Sequence, residues 1–193
     1  MEPENIRRTF RRQIENIVSL TDDEFEYAFS CFGLRQYRKH QYIVQAGDRA
    51  PYDHFVVDGL VKAFYIDEGG RSHIMQFGME DWWISDANSF HNGATATFNI
   101  DCIEDTTVLF ISLQEREKLC AKLQKMEYFF LKKTSAGYVA LQRRILALLS
   151  KSAEERYKQF IQMYPAMQQR LPKALIASYL GVSRETLSRL SGN

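Results

Sequence analysis

The hydrophobic period of this chain changes twice, and that change leaves few architectures open. From about Leu34 to Ile111 the sequence runs LRQYR, YIVQ, HFVV, LVKAFYI, SHIMQF, TFNIDCI and TVLFI, each short and rich in β-branched or aromatic residues. Gly47, Asp58-Gly59 and Asp67-Glu68-Gly69-Gly70 punctuate the runs. Their spacing, about 8–12 residues, is that of an antiparallel sandwich or barrel. Helical pattern lies on both sides. Residues 4–30 carry Ile6, Phe10, Ile14, Ile17 and Val18 near a 3.6-residue repeat, with Thr21 opening a second short helix. Ser112-Leu113-Gln114-Glu115 reads as a capping box, and residues 113 to about 163 are helical. The fold class expected is α+β: an N-terminal antiparallel β-roll of jelly-roll type, then helices.

The stretch KALIASYLGVSRETLSRL, residues 173–190, meets the steric demands of a helix-turn-helix. Ala177 is small where two helices would cross. Gly181 falls four residues later, where a tight turn needs a positive φ. Ser183 can cap the second helix, and Glu185 lies in its first turn, where the helix dipole favours a carboxylate. Ile176, Leu180, Val182, Leu187 and Leu190 supply a buried side. That leaves Arg184, Glu185, Ser188 and Arg189 together on the other face, because 184/188 and 185/189 are i,i+4 pairs. Arginine can donate two parallel hydrogen bonds to guanine, and glutamate can accept from the cytosine amino group. Arg170 and Lys173 fall where phosphates would lie. An ordinary helical hairpin with a solvated Arg/Glu face shares the Ala-x-x-x-Gly element, but the complete spacing points to double-stranded DNA.

Charge is distributed to match. The whole chain is nearly neutral, at +1. Up to Ser112 there are 10 Lys and Arg against 18 Asp and Glu, a balance of −8, and beyond it 15 against 6, a balance of +9. Such asymmetry suggests a nucleic-acid-binding end joined to something that is not, since phosphate neutralisation supplies most DNA binders with their affinity.

Other classes are disfavoured. At 193 residues and 45% hydrophobic the chain can bury a real core, in one domain or two. The N-terminus begins with charges, and no run approaches the roughly 18 apolar residues of a membrane span, so a cytoplasmic location is expected. Cys31, Cys102 and Cys120 are far apart with no C-x-x-C, and His40, His54, His73 and His91 are isolated from one another. Neither pattern is a metal site, and no catalytic motif occurs, so no enzyme activity, metal or cofactor is assigned.

A long helical stretch from about Met126 to Ser150 is a candidate dimer helix. Phe130, Leu141 and Leu148 fit one seam, Ser135, Ala136, Gly137 and Ala140 admit a close neighbour, and Arg144 interrupts the stripe. A helix packed on its own β domain would carry the same pattern. Pro165 and Pro172 then separate a helix ending near Tyr164 from the helix-turn-helix.

A β-roll, a long helix and a C-terminal helix-turn-helix, in that order, resemble the Crp/Fnr family of bacterial transcription regulators. The resemblance covers the whole chain and is sharpest at Ser183-Arg184-Glu185-Thr186 with Arg189, which looks like the start of the family's recognition helix. Gly47, Gly59 and the run IEDTTVLFI from Ile103 are similar too. The resemblance implies a cyclic-nucleotide-binding-like roll over residues 1–112 with its N-terminal helices, connecting and dimerisation helices over 113–151, and a DNA-binding domain over 152–193. It also implies a homodimer on a two-fold-related DNA site, with RNA polymerase as a further partner.

Two departures limit what carries over. Family members that bind cyclic nucleotides use a cassette with a glutamate for the ribose and an arginine for the phosphate. Here the matching stretch is residues 82–100, WWISDANSFHNGATATFNI, with Ser85-Asp86 in place of the usual Gly-Glu and Ala96 or Ala94 where the arginine would stand. No Lys or Arg occurs between Arg71 and Arg116. Asp86 could still accept from a ribose hydroxyl, Thr97 adjoins Ala96, and Trp82 and Trp83 could line an apolar pocket. Three readings of the roll stay open: a structural or dimer-positioning module, a sensor of an unknown and less anionic small-molecule effector, or a weak cyclic-nucleotide binder. The second departure is that only Ser191, Gly192 and Asn193 follow Leu190, where the family adds a β-hairpin wing. The competing function is a ligand-binding regulatory module without sequence-specific DNA binding.

Overall fold

A computed structural model describes residues 2–190 in full and the backbone of Ser191; Gly192 and Asn193, where a wing would begin, lie outside the described residues. The chain forms two compact units, one of Met1–Ala63 with Phe77–Ser135, the other of Phe64–Gln76 with Ala136–Asn193.

The first unit is built on two four-stranded sheets. One has the order β1 (Gly33–Tyr37), β8 (Thr106–Ser112), β3 (Tyr52–Asp58), β6 (Trp83–Ile84); the other has β2 (Tyr42–Val44), β7 (Asn99–Cys102), β4 (Val61–Ile66), β5 (Ser72–Gly78). Strands β3 and β8 pair antiparallel, Phe55 opposite Leu109 and Val56 opposite Val108. Both are buried on both faces, and the period of two sorts their side chains. Val56 and Val108 point into the roll with Val44, Val61, Ala96, Ile100 and Cys102. Phe55, Val57, Leu109 and Ile111 point the other way, into a second core made with helices.

Those helices are α1 (Pro3–Glu15), α2 (Asp22–Ser30), α4 (Leu113–Lys122) and the start of α5 (Gln124–Ser150). The 3.6-residue stripe of α1 puts Ile6, Phe10 and Ile14 into that core, each at 2% exposure or less. Burying each such side chain stabilises the unit by about 1.5–3 kcal/mol. Thr21 opens α2 with a complete capping box to Glu24. At Ser112 only half of the expected box forms: its hydroxyl accepts from the Glu115 amide at 3.2 Å, while the Glu115 carboxylate takes the Lys118 ammonium at 2.7 Å.

The short elements β6 and α3 (Ala87–Asn92) carry no period of their own in the sequence. Trp83, on β6, corrects one sequence expectation. It does not line a ligand pocket but sits among Phe10, Phe32, Phe55, Phe129 and Phe130, with ring centroids 5.4–6.4 Å away. Phe130 corrects another, since it is buried in this same core and is absent from the α5 seam.

The second unit contains the rest of α5, then α6 (Ala153–Met163), α7 (Pro165–Arg170), α8 (Lys173–Leu180), α9 (Arg184–Ser191) and the outer part of the β4–β5 hairpin. Ser152 and Glu155 form a capping box on α6, and Pro165 opens α7, a helical turn hidden between the two prolines. On α5 the residues Tyr138, Leu141, Ile145 and Leu148 recur at heptad spacing, and all are exposed in the single chain. Arg144 leaves that stripe. Its guanidinium stacks 3.6 Å from the Tyr179 ring centroid and donates to the Ile74 and Tyr179 carbonyls at 2.7 and 3.0 Å.

Candidate nucleic-acid interface

The turn between α8 and α9 is built on Gly181, whose φ of +69° is left-handed. Its amide reaches the Ser178 carbonyl at 3.2 Å and the Val182 amide reaches Ala177 at 3.0 Å, so the orphan carbonyls at the end of α8 are satisfied as the chain reverses. Ser183 begins the next helix as expected: its hydroxyl accepts from the Thr186 amide at 3.1 Å. Ile176, Ala177, Leu180 and Leu187 are buried, and Val182 and Leu190 are half-buried. The opposite face carries Ser183, Arg184, Glu185, Ser188 and Arg189, every one exposed.

Glu185 is held ionised. Backbone donation, the Ser183 hydroxyl and the neighbouring Arg184 and Arg189 push its carboxyl below the usual range. The face thus offers two fixed cations and one stable acceptor. Lys173 is exposed in the first turn of α8, and Arg170 is half-buried at the end of α7.

Residues that hold the pair in place went unseen in the sequence. Arg156, on α6, donates to the Leu180 carbonyl at 3.1 Å and to the Lys151 carbonyl at 2.6 Å, fastening the end of α8. Ser178 ties α8 to the hairpin, donating to the Ser72 carbonyl at 2.8 Å and accepting from the Ile74 amide at 3.3 Å. Arg144 was visible as an oddity, a charge in an apolar stripe, and that was the signal.

The cassette in the first unit has a different character. Asp86 is only 1% exposed, and both its oxygens are taken. One caps α3 by accepting from the Ser89 amide at 3.0 Å, and the other accepts from the Thr97 amide and hydroxyl at 2.9 and 3.2 Å. The expectation that Asp86 offers an acceptor to a ribose hydroxyl is therefore corrected: closing the cassette uses it up. Ser89 in turn accepts from the Ala50 amide at 2.8 Å, and Ala96 exchanges backbone hydrogen bonds with Gly47 and Asp48, both at 2.8 Å.

Ala96 itself packs inside the roll, Ser85 is hydrogen-bonded to Asp53, and Trp82 is half-buried with its carbonyl accepting from Val56. Asp53 is pushed up to about 6 by burial, against the pull of Arg116 at 3.7 Å. Arg116 also lies over the Phe130 ring at 4.3 Å. Next to Asp53, burial drives His54 down to about 4.

Comparisons with known proteins agree with this layout. The family described as "Cyclic nucleotide-binding domain" matches residues 34–123. The "Regulatory protein HlyX" of Actinobacillus pleuropneumoniae is 27% identical over 169 residues, 80% of this chain and 68% of that protein. The "Anaerobic regulatory protein" of Aggregatibacter actinomycetemcomitans is 26% identical over 166 residues, 80% of this chain and 64% of its own length. The solved structure of FixK2 from Bradyrhizobium japonicum superposes with a TM-score of 0.73 at 22% identity, covering 83% of each chain. No helix among the described residues is long and apolar enough to cross a membrane.

Proposed function

Because the chain is similar to bacterial regulatory proteins and shares the fold of a Crp/Fnr-type regulator, we propose that it is a DNA-binding transcription regulator in which Arg184, Glu185 and Arg189 read base edges, Ser188 stands between them, and Ser183, Lys173 and Arg170 meet the backbone. One observation carries this reading: α9 buries Leu187 while keeping both arginines and an ionised glutamate exposed together on its other face. It acts as a regulator and not as an enzyme.

In this reading residues 1–112 form the roll, 113–151 connect and pair two copies, and 152–193 bind DNA. The exposed seam of α5 is the pairing surface, and two copies set their recognition helices about 34–36 Å apart, one turn of DNA. A cytoplasmic location and a contact with RNA polymerase go with that role. The roll serves structure and positioning without answering to cAMP, since its cassette spends its one acidic side chain on itself and holds no cation.

Selection from random duplexes tests the reading. A palindromic site should emerge, and Arg184→Ala or Arg189→Ala should each lose about 1–3 kcal/mol on it while relaxing preference at one base pair per half-site. If both variants bind selected and random duplexes as the parent does, α9 is not the reading helix.

A further inference from the structure

The outer part of the β4–β5 hairpin belongs to the same compact unit as the helix-turn-helix. Asp67 shapes its tip: one carboxylate oxygen accepts from the Arg71 amide at 2.9 Å, and the other meets the His73 Nε2 at 2.6 Å. Gly70, at φ +78°, lets the chain turn back at that point. Asp67 is thereby spent inside the hairpin, while the Glu68 and Arg71 side chains stay exposed. Ser178 and Arg144 then clamp the strand that follows, through Ser72 and both polar groups of the Ile74 backbone.

This clamping leaves a cleft of about 200 Å³ between the hairpin and the helix pair. Arg71 and His73 line one side, Ser178, Ser183 and Arg184 the other, and no Asp or Glu is among the lining residues. Arg71 and Arg184 bring positive charge to one cleft whose own lining holds no carboxylate, and that favours an anion there. The cleft also reaches Arg184, so an anion there would lie beside the base-reading face.

We propose that this cleft is a second phosphate-binding element of the DNA interface, in which Arg71 from the hairpin meets one phosphodiester beside the face where Arg184 reads bases. The proposal rests on the DNA-binding reading above. It gives the hairpin the work of adding a backbone contact outside the helix pair, and such contacts fix register without reading sequence. Ser178 is a positioning residue here, acting through the hairpin it holds.

DNA affinity measured across a range of salt concentrations tests it, on a selected and a random duplex. Each phosphate neutralised contributes a slope of roughly 0.9 in log K against log salt. Arg71→Ala should lower the slope by about 1 and weaken both duplexes alike, by about fivefold near physiological salt. Arg71→Lys should keep most of the slope. Ser178→Ala, which removes no charge, should give a loss similar to that of Arg71→Ala, and the two together should lose little more than either alone.

An unchanged slope in Arg71→Ala overturns the proposal. So does tighter DNA binding by Ser178→Ala, which would make the hairpin a shield over the helix pair. Calorimetry with inorganic phosphate separates the two sources of the anion: a dissociation constant below about 100 μM, lost in Arg71→Ala, would assign the cleft to a free phosphate and overturn the DNA assignment. A parent protein that binds neither duplex removes both this proposal and the reading beneath it, whereas a parent that binds with an indifferent Arg71 removes this proposal alone.

Discussion

The cassette and the helix-turn-helix use similar residue types in opposite ways. Around α3 the polar side chains turn inward: Asp86 closes on Ser89 and Thr97, Ser89 on Ala50, and Asn99 accepts from the Ala46 amide at 2.9 Å. On α9 the arginines, the glutamate and Ser188 remain exposed. A polar group buried and satisfied internally stabilises its own fold and has little left for a partner, whereas one at the exposed surface can take a ligand at small cost. The difference separates the part of this chain that holds itself together from the part that binds.

The largest test of that contrast is Asp86→Ala. Removing the carboxylate strands the buried Ser89 amide, uncaps α3 and takes the acceptor from the exposed Thr97, and the unfolding free energy from denaturant titration should fall by about 2–4 kcal/mol. DNA preference, measured on the folded fraction, should not move. The parent should meanwhile bind cAMP no tighter than about 10 μM by calorimetry, since an unclamped phosphate gives up the charge-assisted pair that micromolar affinity needs. A tight cAMP complex, or an Asp86→Ala protein as stable as the parent, would place the cassette with the binding region and not with the scaffold.

A second test concerns Asp53 and His54, adjacent on β3. The Asp53 carboxyl titrates near 6 when folded against 3.8 as its ordinary value, so its contribution is full below pH 4 and is lost as pH rises through 6. The His54 imidazole titrates near 4 when folded against 6.5, so its contribution is full above pH 6.5 and is lost as pH falls through 4. Each shift corresponds to roughly 3 kcal/mol, and between pH 4 and 6 the two oppose each other. Stability of the parent should therefore be nearly flat across that window. Asp53→Asn should uncover a decline on acidification, and His54→Gln a decline on raising the pH. Parallel profiles for all three proteins would mean that neither group is held as the fold indicates.

The sequence announced these two regions unequally. Gly181, Ala177, Ser183 and the exposed quartet on α9 could all be named beforehand, because helix turns and caps are local and their steric demands are written in neighbouring residues. The seven strand runs were legible for the same reason. What escaped was non-local. Trp83 has its partners on α1, β3 and α5, and Phe130 is drawn into that aromatic core, so neither could be placed from its own neighbourhood. Asp86 looked like a ligand acceptor because Thr97 lies eleven positions away. The clamp of Arg144, Ser178 and the hairpin brings together residues up to 106 positions apart, a separation no periodicity reports.

The α5 seam comes next in size. Tyr138, Leu141, Ile145 and Leu148 form an apolar heptad face that the single chain leaves in water, and pairing with a second copy would bury it. Leu141→Ala should weaken the dimer by about 1–3 kcal/mol, and Ile145→Glu should leave monomer at micromolar concentration by sedimentation. Since neither residue lies on the helix-turn-helix, each half-site should be read as before while the preference for paired half-sites disappears. A parent that sediments only as monomer, with and without DNA, would take the seam out of the binding region altogether.

The smallest effect belongs to Lys173, and it separates holding from reading within the interface itself. Lys173 stands at the start of α8, and a lysine ammonium is a compact point charge with no fixed fork to match a base edge, so its use on DNA is to neutralise a phosphate. Lys173→Ala should cost about 1 kcal/mol or less at physiological salt, reduce the salt slope by about 1, and do so equally on the selected palindrome and on random duplex. Arg189→Ala should do the reverse, changing sequence preference more than slope. If Lys173→Ala shifts the preferred sequence, α8 approaches the bases more closely than a first helix should, and the division of labour between the two helices has to be redrawn with α8 among the readers.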